Sequence, residues 1–193
     1  MKMAYWAAPA TRGVEVLELF NPLLKELRDL TNETVCFFRS ERDYRVCVAM
    51  AETRHTLRRA MRVGAILPLY AGSAGQVLLA WTPELLQRIK ETPLQQLTEA
   101  TITSAEELEA TVKKTRRDGF SITTGQREDG ASGISAPVFD SAGAAVGALT
   151  ISGPTMRMSY DICEGWIEEL LSTAERMTRL IGGRLPDDSL NYP

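Results

Sequence analysis

Between Leu67 and Trp81 the chain reads LPLYAGSAGQVLLAW, a β-type end that passes through Gly72-Ser73-Ala74-Gly75 straight into an apolar helical run. A junction this short fixes where a strand stops and a helix begins. Its small residues keep side chains out of the way, so the unpaired N–H groups that open the helix can face a ligand, and the helix dipole favours a negative one. The residues alone leave a second reading open, because small residues at a helix start also serve close packing and capping.

On either side of this corner the periodicity predicts an alternation of β-rich and helical segments. Asn21-Pro22 reads as an N-cap with proline at the first helical position, opening a helix over Leu23 to Leu30 with Leu23, Leu27 and Leu30 on one face. Thr34 to Arg39 and Tyr44 to Ala51 bracket a polar turn at Ser40 to Asp43, and Thr56 to Val63 reads as a third strand. Pro83 to Lys90 is a short helix. Ser104-Ala105-Glu106-Glu107 is a capping box whose helix ends near Gly119. That helix carries acids early and Lys113, Lys114, Arg116 and Arg117 late, which matches its dipole, so the basic cluster reads as a solvated helix end. Strands follow at Phe120 to Thr124, Gly133 to Phe139 and Ala144 to Ser152, and one last helix over Tyr160 to Gly182. The order predicts an α+β domain with a mostly antiparallel sheet flanked by helices.

With 193 residues, 44% hydrophobic and 24% charged, the chain falls in the size range of one globular domain. Its net charge of −3 argues against a surface that grips nucleic acid by itself, since neutralising phosphates takes a clustered excess of Lys and Arg. No apolar run approaches the ~20 residues of a membrane span, so no membrane partner and a cytoplasmic location are expected. Cys36, Cys47 and Cys163 have no metal-binding spacing and read as reduced thiols. A hairpin at Ser40 to Asp43 sets Cys36 opposite Cys47, as two packed thiols or as a redox-sensing pair.

The segments PLLKELRDLTNETV (Pro22 to Val35), GAILPLYAGSAGQVLLA (Gly64 to Ala80), DGFSITTGQREDG (Asp118 to Gly130), SAPVFDSAG (Ser135 to Gly143) and ALTISGP (Ala148 to Pro154) occur in one order. In that order they resemble the effector-binding domain of the IclR family of bacterial transcriptional regulators. The resemblance implies a GAF-like domain over 21–186, an N-terminal segment over 1–20 and a C-terminal tail over 187–193. It implies a small-molecule effector, commonly a carboxylate, a homodimer or homotetramer, and DNA binding through a winged helix-turn-helix that this chain lacks. No cofactor and no metal are implied. The family's ligand-contacting positions fall on Leu67 at an apolar wall, Ser73 and Ala74 at the amide end, Thr123, Gly133, and Thr150 and Ser152 on the last strand. Thr150 and Ser152, two apart on a strand, present both hydroxyls to one side, which suits a carboxylate acceptor. Read singly, each of these residues also fits a local packing or turn role.

Thr123 and Gly133 stand where members that bind very small ketoacids carry an acidic residue and a cysteine. The loss of both groups predicts a roomier, less anionic pocket and a bulkier acid. A non-enzymatic role is expected, with no catalytic residues. The single histidine, His55, has no metal or nucleophile partner in sequence, and Ser73 lacks the spacing of a nucleophile elbow. The alternatives are a stand-alone dimerisation or titration module and, further off, a GAF-like hydrolase.

Overall fold

The computed structural model describes residues 4–58 and 60–186, with only the backbone described for 4–15; the tail read at 187–193 lies outside the described residues. Helix α1 (Ala4–Thr31) runs unbroken through Asn21-Pro22, where the sequence reads a helix start. A proline in a helix interior removes one backbone bond and costs roughly 3 kcal/mol. Pro22 stands on the exposed side, while Phe20, Leu23, Leu24 and Leu27 are buried and hold the helix in place. Leu30, expected with Leu23 and Leu27, is instead 54% exposed. The helix ends at Asn32, which adopts a left-handed φ of 56°.

The strands are β1 (Thr34–Glu41), β2 (Tyr44–Ala51), β3 (Ile66–Pro68), β4 (Ser121–Thr124), β5 (Ala131–Phe139) and β6 (Ala145–Pro154). They form one sheet in the order β3-β2-β1-β6-β5-β4, with every neighbouring pair antiparallel. The α+β architecture read from the sequence is the one observed. The third strand is not Thr56 to Val63, whose Leu57 and Val63 are exposed, but the short Ile66–Pro68 at the sheet edge. The remaining helices are α2 (Ser73–Ala80), α3 (Pro83–Lys90), α4 (Ala105–Asp118), α5 (Tyr160–Glu164) and α6 (Ile167–Leu180). Ser104 caps α4 by accepting the Glu107 N–H at 3.2 Å, and Gly119 closes it at φ 82°. The single last helix expected from the sequence is two, interrupted at Gly165-Trp166.

Helices α1 and α6 cover one face of the sheet over an apolar core that includes Phe20, Phe37, Ile134, Leu149, Ile151 and Leu170. Helices α2, α3 and α4 cover the other, with Phe38, Cys47, Leu69, Leu78 and Leu108. Strand β2 changes allegiance partway along. Phe37 pairs with Ala49 but Phe38 pairs with Cys47, so Val48 is an extra residue in the ladder. At this β-bulge Val48 and Ala49 both pack toward α1, and the alternation restarts with its phase reversed. Arg45 and Cys47 thereby face α2, whereas an unbroken alternation from Ala49 and Ala51 would have sent them to the α1 side. Cys36 accordingly pairs with Met50 rather than Cys47, and both are buried thiols not joined by a disulfide.

Candidate functional site

At the corner, Gly72 adopts φ 95° and ψ 156°, a conformation closed to side chains with a Cβ. A Cβ on Gly75 would stand 1.8 Å from the Leu69 carbonyl oxygen. The corner is tied down from β4 and the turn behind it. Gly72 N–H donates to Gln126 Oε1 at 3.2 Å, Gln76 Nε2 donates to the same oxygen at 2.9 Å, and Ser121 Oγ donates to Gln76 Oε1 at 2.6 Å. Ser73 N–H donates to Thr123 Oγ1 at 3.0 Å, and the Gly75 and Gln76 amides both turn back to the Gly72 carbonyl. Most of the amides expected to face a ligand are therefore engaged within the protein. Among the described residues the Ala74 N–H is the one at this corner without such a bond.

Leu67, Ser73, Ala74, Gly133, Thr150 and Ser152 line a single concavity at the mouth of the corner. Thr123, the seventh position singled out in sequence, does not line it, and its hydroxyl instead holds Ser73 from behind. Under the concavity runs a row of hydroxyls: Ser73 Oγ to Ser135 Oγ at 2.8 Å, and Ser135 Oγ to Thr150 Oγ1 at 2.9 Å. Gly133 makes this row accessible, because a Cβ there would lie 3.0 Å from Ser73 Oγ. Ser73 thus has hydroxyl and backbone neighbours rather than a base, and His55 is exposed on the β2–β3 connection.

Sequence reasoning missed Arg45, Phe38, Met61, Arg127, Ala131 and Ser132, which also line it. Arg45 is 4% exposed, lies 5.5 Å over the Phe38 ring, and donates through Nη1 to the Pro68 carbonyl. Its Nη2 occupies the space that a side chain at Gly72 would take. Burial first, and the charge of Arg127 second, push the Arg45 guanidinium down to about 9, which leaves it cationic at neutral pH. Arg127 pairs with Glu128 at 3.2 Å on the outer side. Where the sequence leads one to expect a roomy pocket, the concavity is small, about 40 Å3. The sequence argument counted the two groups lost and not the arginine and methionine that fill the space. The one available signal was a charged residue inside the otherwise apolar run YRVCVAMA.

A larger hollow of about 550 Å3 lies at the far end of β5, with Trp81, Pro137, Phe139, Leu171 and Pro186 in its walls. It lacks the converging hydroxyls of the corner. Of the basic cluster on α4, Lys113 pairs with Glu109 at 3.1 Å and Lys114 with Asp118 at 2.6 Å on the exposed helix end, whereas Arg116 is half-buried and lies 4.9 Å over the Trp81 ring.

Among the described residues, no helix is long and apolar enough to cross a membrane. Residues 8–179 match the family described as bacterial transcriptional regulator IclR, C-terminal. The chain is 30% identical over 184 residues to the HTH-type transcriptional regulator KdgR of Escherichia coli, covering 94% of this chain and 70% of that protein. It is 32% identical over 146 residues to the HTH-type transcriptional regulator BhcR of Paracoccus denitrificans, covering 75% of this chain and 52% of that one. Among solved structures, the C-terminal domain of E. coli KdgR superposes with a TM-score of 0.77 at 28% identity, over 86% of this chain and 98% of that domain. A transcriptional regulator from Rhodococcus superposes at 0.85 with 27% identity, over 94% and 75%. A match running through both helical layers, the whole sheet and the corner leaves one assignment: the chain belongs to the IclR family of bacterial transcriptional regulators and carries its C-terminal domain.

Proposed function

We propose that this chain is the effector-sensing domain of an IclR-type regulator and that the corner concavity receives an organic acid. The observation that supports this best is the convergence of Ser73, Thr150 and Ser152 with the Ala74 amide on one concavity whose lining includes no carboxylate. Hydroxyls and an amide at a helix start supply donors to an anion, and Leu67 and Phe38 supply an apolar wall. Thr123 acts from behind, by orienting Ser73. The small volume favours a short acid over a bulky one. Met61, on the connection between β2 and β3, forms part of the wall, and a methionine suits such a place because its side chain is unbranched and adaptable.

The chain spans 70% of the length of E. coli KdgR and 52% of that of P. denitrificans BhcR, proteins whose names mark them as helix-turn-helix regulators. In this reading, occupancy of the corner biases a DNA-binding module of that kind through differential affinity for two conformations. The working form is a homo-oligomer in the cytoplasm.

A thermal-shift screen of the purified chain against short and long carboxylates tests the proposal, since a ligand that binds the native state raises the midpoint by mass action, by about 2.7 kcal/mol at a hundredfold excess over Kd. A dose-dependent rise with a short acid, lost in S73V and S152L, is expected. A flat response to every acid, or an undiminished rise in both variants, sinks the assignment of this site.

A further inference from the structure

Arg45 is buried and cationic, and among the described residues no carboxylate lies within ion-pair distance of it. A buried charge without a counter-ion costs several kcal/mol of stability, so a fold retains one only where something offsets it. What the protein itself offers is partial. Nη1 donates to the Pro68 carbonyl and the guanidinium rests on Phe38, but Nε is buried with no acceptor. Nε and Nη2 form one edge of the planar fork, the edge suited to the two oxygens of a carboxylate. A second cation, Arg127, lines the same concavity, and its own partner Glu128 is more than half exposed.

The backbone is shaped around this side chain. The bulge at Val48 turns Arg45 from the α1 face to the corner face. The glycines at 72 and 75 leave room for the guanidinium as well as for the turn itself: a Cβ on Gly72 would come within 3.1 Å of Nη2, and one on Gly75 within 2.9 Å of Nη1. The helix start of α2, the unsatisfied arginine and the hydroxyl row thus meet in one place by three independent devices. A helix start alone attracts an anion weakly. A desolvated guanidinium beside it supplies a full charge.

We propose that Arg45 is the charge partner and specificity determinant of the effector: its Nε–Nη2 edge receives the carboxylate of a short organic acid, while Ser73 and the Ala74 amide take that ligand's remaining acceptor. The role rests on the effector-sensing reading of the corner. It restricts the ligand to anions, so an amide or ester of the same shape binds poorly, because it leaves the buried charge uncompensated.

The test uses calorimetric titration and thermal shift on the purified chain and on R45M and R45K. The probes are glyoxylate, pyruvate, 2-oxobutyrate and 2-oxoglutarate, each beside its neutral amide. For whichever acid binds the wild type, the amide is expected to bind about 10- to 100-fold more weakly, the range for a charge-assisted hydrogen bond. R45M is expected to lose the acid to a similar extent while melting at the same temperature or higher, since an apolar side chain relieves the buried charge. A merely structural Arg45 gives the reverse, a lower melting temperature with acid binding intact. Should R45M not fold, R45K carries the test: a point charge in place of the fork is expected to cost about tenfold in affinity. An acid that binds the wild type and the folded Arg45 variant equally, or an amide that binds as well as its acid, overturns the inference and leaves the sensing reading in place. No binding of any acid to the wild type overturns both.

Discussion

The two faces of the sheet are built from the same strands and yet differ in kind. Toward α1 and α6, residues such as Phe37, Ile134, Leu149 and Ile151 present only carbon, and the Phe20 and Phe37 rings meet edge to face at 5.0 Å. Toward α2, the neighbours of those residues present Ser135, Thr150 and Arg45, and three hydroxyls form a buried row. One strand, β6, serves both, with Leu149 and Ile151 on one side and Thr150 and Ser152 on the other. The difference teaches where stability and where recognition reside. Close-packed carbon lowers the free energy of the fold without choosing a ligand, whereas buried polar groups contribute little net stability and choose sharply.

The largest effect that could break this division is on the apolar side. Phe37→Ala removes a fully buried ring and is expected to cost about 3–5 kcal/mol in urea unfolding, while acid affinity of the folded fraction stays unchanged. A variant that kept its stability, or lost the ligand while folded, would show that the faces are not separable. On the other side Met61→Ala sharpens the contrast. It is expected to open the 40 Å3 cavity and improve binding of longer acids by about tenfold, with stability changed by less than about 1 kcal/mol. Competition between acids of graded length reads this out.

Ser135→Ala breaks the hydroxyl row at its centre, and a cost of about 1 kcal/mol is expected together with a weakened response to acid. A stability loss as large as that of Phe37→Ala would place the row among the structural elements instead. The smallest effect concerns Glu26, whose carboxyl is held below its ordinary value by hydrogen bonds from Arg176 that link α1 to α6. A depressed folded-state pKa means that its contribution is present above the ordinary carboxylate pKa and lost as pH falls through the lowered one. The pair is exposed, so the difference between wild type and Glu26→Gln is expected to stay under about 1 kcal/mol at neutral pH and to vanish in acid. Urea midpoints at neutral pH and at about pH 3 measure it.

Features with a local cause were legible in the sequence. The Ser104 cap, the glycine stop at Gly119, the β2 boundaries at Tyr44 and Ala51 and the strand-to-helix corner all follow from residues that act on their own neighbourhood. Features set by tertiary packing were not. Pro22 reads as a beginning, but the buried residues on both sides of it carry α1 straight through. The interruption at Gly165-Trp166 lies inside an apolar periodicity that reads as continuous. Ser73, Thr150 and Ser152 could be named because they stand in recognisable segments, whereas Ser132, which also lines the concavity, was not named. Arg45 could not, since its face is decided by a bulge that appears only when β2 pairs with β1.

That bulge lets β2 carry one residue more than its partner strand without moving the site. A lost codon at Val48 would remove the extra residue, leave Ala49 opposite Phe37 and Cys47 opposite Phe38, and keep Arg45 and Cys47 toward α2 in a strict alternation. Homologues one residue shorter in this strand would then keep the same pocket, so a comparison of such sequences has to place a gap at this position of β2 before it matches letters.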